Sequence, residues 1–181
     1  MCSRRYAVDG GGGKLTAERF IHSEIYRARP DVMAIVHSHS PGVIPFGITR
    51  RRLKPVWHVS CFLGSCKIPV FEIRDTEGAA TNLLILTAAR GAAVARSLGS
   101  APVVLMRGHG STTVGVSLKH AVYRAIFTEM NANLQLEAMK IGKVDYLTKE
   151  ESATASEFIE SEGSMSKPWE YWVHRLENKR R

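Results

Sequence analysis

No stretch of the sequence approaches the roughly eighteen consecutive apolar residues of an ordinary transmembrane helix. The front of the chain also lacks an apolar h-region: Arg4 and Arg5 are followed by no hydrophobic run before Lys14, so no secretory signal is expected. Cysteine is scarce. Cys2, Cys61 and Cys66 are too few, and odd in number, for a disulfide scaffold, and they read as reduced thiols of a cytoplasmic protein. Internal repeats and zinc-finger spacings are missing as well. What remains is the composition of a folded domain: 181 residues, 44% hydrophobic and 23% charged, which excludes wholesale disorder and collagen-like repeats. The 25 Lys+Arg against 17 Asp+Glu leave a formal charge of +8, compatible with nucleic acid or with a small anionic substrate.

The run Gly10 to Gly13 has maximal backbone freedom and nothing to bury, so residues 1–14 read as a flexible lead-in and residues 15–181 as one domain. Thr16 is placed to cap a helix reaching Arg27, stopped by Arg29-Pro30-Asp31. The apolar, β-branched run Val32 to His39 predicts a buried strand, and Ser40-Pro41 a helix start leading to Ile48. A strand is expected at Lys67 to Ile73, at an edge because of Pro69, then a helix from Thr81 to Leu98. Another buried strand, Pro102 to Met106, leads into the turn Gly108-His109-Gly110 and a short β-branched stretch, Thr112 to Val114. The longest helix runs from Ser117 to Lys140, with Ala121, Val122, Ala125, Ile126, Met130 and Leu134 as its apolar face. Two amphipathic pieces follow, Thr148 to Glu160 and Pro168 to Lys179, the second carrying Trp169, Tyr171 and Trp172. Alternating strands and helices predict a single α/β layered domain.

The chemistry gathers around three histidines. His37 and His39 stand at i and i+2 of a strand, so both imidazoles project from one face while Ser38 points away. Neutral imidazole nitrogen is a common ligand of zinc and related ions. His109 follows a second buried strand between two glycines, and two neighbouring strands ending in histidine can bring three ligands to one sheet edge. Three histidines with an open position describe a catalytic rather than a structural metal site. Glu18, in the first turn of the first helix, can add a carboxylate as ligand or general base, or can merely complement the helix dipole. His22, four residues on, shares its face and can orient it. Arg107 precedes His109 by two and can clamp a substrate carboxylate or form a structural ion pair. His58 and Tyr146 are rim candidates whose plainer reading is structural.

The stretch ERFIHSEIYRARPDVMAIVHSHSP, followed by RGHG at 107–110, resembles the class II aldolase/adducin family. The flanking text is most similar to members related to the hydroxy-methylpyridine-dicarboxylate decarboxylases. The resemblance implies a three-layer α/β/α domain with a central, largely antiparallel sheet, here shortened at its N-terminal end. It implies one divalent metal per subunit (zinc first, with manganese, cobalt or iron(II) as alternatives) on His37, His39 and His109. It implies Glu18 as acid/base; Arg107 and His22 are the substrate-side candidates by their positions alone.

The activity implied is carbon–carbon bond cleavage, by decarboxylation or retro-aldol reaction through a metal-stabilised enolate-like species, on a small anionic hydroxy/oxo or aromatic carboxylate. A homotetramer, a cytoplasmic location, and no nucleic-acid or membrane partner complete the expectation. Two alternatives stand beside it: a non-catalytic adducin-like interaction module, or a truncated inactive homologue. The Arg50 to Lys54 cluster motivates a nucleic-acid binder, but no RNA- or DNA-binding signature accompanies it.

Overall fold

A computed structural model describes residues 15–179; the glycine-rich lead-in lies outside them. The sheet is built from β1 (Ala34–Ser38), β2 (Val70–Phe71), β3 (Val103–Met106) and β4 (Gly110–Gly115), in the spatial order β1-β4-β3-β2. β4 pairs antiparallel with β1 and with β3, whereas β2 runs parallel to β3. The sheet is therefore mixed, two antiparallel pairings and one parallel, rather than purely antiparallel.

The two-residue period of β3 builds the layers. Val104 and Met106 join a core with Ile21, Ile25, Val94 and Leu98, from α1 (Arg19–Ala28) and α4 (Ala88–Leu98). Val103 and Leu105 join a second core with Phe46, Phe62 and Tyr123, from α2 (Ile44–Ile48), a 3-10 helix (His58–Gly64) and α5 (Leu118–Ile141). The sheet lies between the two cores, which is the three-layer α/β/α arrangement. A short α3 (Arg74–Glu77) follows β2, and α6 (Lys149–Ile159) and α7 (Glu162–Asn178) close the chain.

Two glycines let the layers approach. A Cβ on Gly91 would collide with the carbonyl oxygen of Phe20, so α4 rests directly on the α1 backbone. A Cβ on Gly110 would collide with the carbonyl oxygen of Ser38, so β4 sits hard against the end of β1.

Several local expectations are corrected. Thr16 caps nothing with its side chain; the N-cap is Glu18, which has no side-chain capping bond. The second strand is only two residues long at the predicted sheet edge, because Pro69 has no N–H and only its carbonyl joins the ladder, accepting from Leu105 N at 2.9 Å. α4 begins at Ala88, capped by Thr87, and residues 81–86 are irregular. α7 starts six residues before Pro168, capped by Ser161, and carries that proline inside it.

The predicted apolar stripe of α5 holds only in its first half, where Ala121 is fully buried and Val122, Ala125 and Ile126 are half-buried. Met130 and Leu134 are exposed, while Asn131 and Gln135 are fully buried. Their amides bond the backbone of the 52–56 segment, Val56 N donating to Asn131 Oδ1 at 2.9 Å and Gln135 Nε2 donating to the Arg52 carbonyl at 2.8 Å. A loop laid against a helix must satisfy its backbone groups, and these side chains do so. Of the C-terminal aromatics, Trp172 packs onto Phe127 in the second core, while Tyr171 is exposed.

Candidate metal centre

β1 carries Ile35 toward the α1/α4 core, so His37 two residues on faces the same side, at the end of the strand where the core gives out. His39 follows just past the strand. His109 occupies the β3–β4 turn, whose reversal rests on Gly108 at φ +65°. The histidine-bearing segments are not on neighbouring strands, as the sequence suggested: β4 lies between β1 and β3, and the close approach at Gly110 draws the turn onto the end of β1. Glu18 arrives from the start of α1.

These four side chains converge. His39 Nε2 lies 3.2 Å from His37 Nε2 and 2.9 Å from His109 Nε2. Glu18 Oε2 lies 3.2 Å from His109 Nε2, 3.6 Å from His37 Nε2 and 3.9 Å from His39 Nε2. The side chains of His37, His109 and Glu18 are 12%, 6% and 17% exposed, and that of His39 is 61% exposed, which leaves the cluster open on one side.

The other ring nitrogens set the tautomers. His109 Nδ1 faces the carbonyl of Leu83 at 2.9 Å, an acceptor only, so the proton is on Nδ1 and the Nε2 lone pair faces the cluster. His37 Nδ1 lies 3.0 Å from Thr112 Oγ1, whose own hydroxyl donates to the Met106 sulfur at 3.7 Å; the same tautomer follows. Thr112 is opposite His37 in the β1–β4 register and is fully buried. Burial, then the neighbouring His109, push the His37 imidazolium down to about 4 against the partial support of Glu18, so this ring is neutral at pH 7. The Ile85 N–H donates to Glu18 Oε1 at 3.0 Å, leaving Oε2 for the cluster.

Such an arrangement asks for a cation. The Nε2 lone pairs of His37 and His109 both face the cluster, a single Nε2–H on His39 can satisfy only one of them, and no lysine or arginine pairs with Glu18 among the described residues. The edge of a tetrahedral zinc–nitrogen site is about 3.4 Å for a bond of roughly 2.1 Å, close to the spacings here. Three Nε2 atoms and one carboxylate oxygen, all within 4.8 Å of one another, fit a divalent metal.

The remaining candidates lie around or away from this centre. His22 is half-buried and near enough to His37 to oppose its protonation; burial lowers its own basicity. Arg107 Nε sits 2.5 Å from Glu72 Oε2, and the Arg74 and Arg107 guanidiniums hold that carboxyl down to about 2. His58 is exposed, and the Tyr146 hydroxyl accepts from Gln135 Nε2 at 3.2 Å. Thr112, the Leu83 carbonyl and the Ile85 amide escape sequence reasoning. Only the strand register could have singled out Thr112, and backbone groups leave no mark in residue type.

Residues 2–136 match the family described as Class II Aldolase and Adducin N-terminal domain, and the chain belongs to that family. The decarboxylase tropJ of Talaromyces stipitatus is 37% identical over 182 aligned positions, covering 88% of this chain and 67% of its own. The 3,4-dihydroxyphthalate decarboxylase of Arthrobacter keyseri is 30% identical, covering 73% of this chain and 52% of its own. This chain thus spans between about half and two thirds of those relatives. Among solved structures, an aldolase II superfamily protein from Pseudomonas syringae superposes with a TM-score of 0.71 at 24% identity, over 94% of this chain and 66% of its own. That likeness establishes the fold.

Proposed function

We propose that Glu18, His37, His39 and His109 hold one divalent metal ion, and that the chain belongs to a metal-dependent carbon–carbon lyase, with decarboxylation as the leading reaction. The observation carrying this reading is the convergence of three histidine Nε2 atoms and a carboxylate that pairs with no lysine or arginine among the described residues. The names of the curated relatives favour decarboxylation over aldol cleavage. When bound, the metal supplies a Lewis acid that stabilises negative charge as the carbon–carbon bond breaks. Three histidines with a carboxylate suit zinc, manganese, cobalt or iron(II).

The protein's residues supply the rest. Glu18, held at Oε1 by the Ile85 amide, would offer Oε2 to the ion at rest and take or deliver a proton there once substrate has displaced it. The open side at His39 is the route by which a small anionic hydroxy, oxo or aromatic carboxylate enters. His22, near enough to His37 to oppose its protonation, is taken as a further substrate-side group. Arg107 can take a substrate carboxylate only by exchanging its pair with Glu72, so its contribution is to affinity in an exchange of ion pairs. The net charge of +8 favours such an anion over a neutral ligand. A homo-oligomer, tetrameric as the family resemblance implies, is part of this proposal, as is a cytoplasmic setting; among the described residues no helix is long and apolar enough to cross a membrane.

Metal analysis of the purified protein tests the reading. Stoichiometric divalent metal is expected, lost in His37→Ala and His109→Ala, together with carbon dioxide release from hydroxylated aromatic carboxylates. Stoichiometric metal that survives both substitutions sinks the ligand assignment. A metal-free protein with no turnover favours the non-catalytic reading, which the similarity to human beta-adducin (26% identity over 66% of this chain) keeps in view.

A further inference from the structure

The irregular segment between α3 and α4 touches the metal centre twice, from behind. The Leu83 carbonyl accepts from His109 Nδ1 at 2.9 Å, and two residues later the Ile85 N–H donates to Glu18 Oε1 at 3.0 Å. Offering a carbonyl and an amide to neighbouring side chains within three residues requires a sharp turn of the backbone. Leu83 makes it at φ +64°, the sole non-glycine residue in the left-handed region among the described residues. Thr81 Oγ1 and Asn82 Oδ1 support the turn locally, accepting from Leu83 N and Leu84 N, each at 3.2 Å.

One side chain from outside fastens this strap. Arg90, in the first turn of α4, donates through Nη1 to the Leu84 carbonyl at 2.9 Å and to Asn82 Oδ1 at 3.3 Å. Its Nη2 donates to Glu77 Oε2 at 2.7 Å, which ties the strap to the end of α3. The guanidinium is largely enclosed, with a side-chain exposure of 18%. α4 is in turn seated on the α1 backbone at Gly91, the residue beside Arg90, so the fastening point and Glu18 share one rigid support.

We propose that Arg90 is a positioning residue for the metal centre. It holds the 81–85 strap in the one conformation that fixes the tautomer of His109 and the orientation of the Glu18 carboxylate. The inference rests on the reading of those residues as metal ligands. A planar fork reaching three acceptors from one side chain is something lysine cannot reproduce, so Arg90→Lys is not conservative here. With the fork gone, the strained turn relaxes, His109 Nδ1 loses its acceptor, and Glu18 loses its backbone donor. Outer-shell partners of this kind change metal affinity by about 10–100-fold.

The test is zinc affinity, measured by competition with a chromogenic chelator, for the wild type, Arg90→Ala, Arg90→Lys, Asn82→Ala and Arg29→Ala. Arg29 bridges Asp31 and the Gly99 carbonyl, so its loss weakens the fold near α1 and α4 without touching the strap. Both Arg90 variants are expected to bind zinc about 10–100-fold more weakly, Asn82→Ala less so, and Arg29→Ala within about twofold of wild type. In the metal-free protein, side-chain nitrogen NMR is expected to show His109 losing its uniform Nδ1–H tautomer in Arg90→Ala. Wild-type affinity in the Arg90 variants, or an equal loss in Arg29→Ala, overturns the role of Arg90 while leaving the ligand assignment intact. A wild type that binds no zinc, cobalt or manganese overturns both. If Arg90→Ala fails to fold, Asn82→Ala with an unchanged His109 tautomer and unchanged affinity is the overturning result.

Discussion

Glu18 and Glu160 both meet histidine inside this fold, one on the α1 side of the sheet and the other on the α5 side, and the two clusters are completed in opposite ways. Glu160 Oε1 takes His120 Nε2 at 2.8 Å and Arg124 Nε at 2.7 Å, and Arg124 Nη1 goes on to the Val114 carbonyl at 2.9 Å. Burial works against ionisation of Glu160, but the His120 and Arg124 hydrogen bonds outweigh it and hold the carboxyl below its usual range. That cluster contains its own cation and serves to fasten α6 to α5 and β4. Glu18 instead faces three imidazoles, those of His37 and His109 with their protons turned outward, and pairs with no lysine or arginine among the described residues. The cluster that balances its own charge serves as architecture, whereas the one without a paired cation is where we propose that a metal binds.

Four substitutions break or sharpen that contrast, the largest effect first. Glu18→Gln keeps the shape and removes the charge; turnover is expected to fall by about 10²–10⁴-fold, the usual share of a general acid–base group, with thermal stability unchanged or slightly raised. Steady-state kinetics beside thermal melts read both. Glu160→Gln does the converse. It leaves Arg124 mostly buried without its partner and is expected to cost about 3 kcal/mol, with metal stoichiometry intact.

The acid limb of stability belongs to the same carboxylate. A carboxyl lowered on folding contributes stability above its unfolded value, about 4.3, and loses it as pH falls through the lower folded value. Urea midpoints between pH 6 and pH 3 are expected to fall less steeply in Glu160→Gln than in the wild type. Gly91→Ala forces a methyl against the Phe20 carbonyl and is expected to cost about 2 kcal/mol, with weaker metal binding because Glu18 stands at the start of α1 and α4 carries Arg90, which fastens the strap behind the cluster. Last, Lys140→Ala breaks only the exposed pair with Glu137 and is expected to change stability by less than about 0.5 kcal/mol and metal binding not at all.

Much of the site was legible because strands have a period of two. That period put His37 and His39 on one face, and glycines either side of His109 announced a turn beside a buried strand. The strand order was not legible, since nothing in residues 103–115 says that β4 inserts itself between the histidine-bearing segments. The α5 stripe was misread for a different reason. Apolar periodicity assumes that a helix buries hydrocarbon, but Asn131 and Gln135 bury amides because a loop backbone lies against them. The helix predicted from Thr81 failed where Thr87 offered an equally good cap and the preceding residues had to reach Glu18 and His109.

Because β4 separates β1 from the turn that carries His109, the four ligands we propose come together only when three distant parts of the chain are in register. An unfolded chain retains only the local pair His37 and His39. Metal affinity therefore doubles as a gauge of folding: any ion held by all four groups favours the native state by mass action, diminished only by what that pair retains. If these groups hold a metal as proposed, withholding it should hasten unfolding and degradation, and scarcity of the ion would set how much of the protein persists.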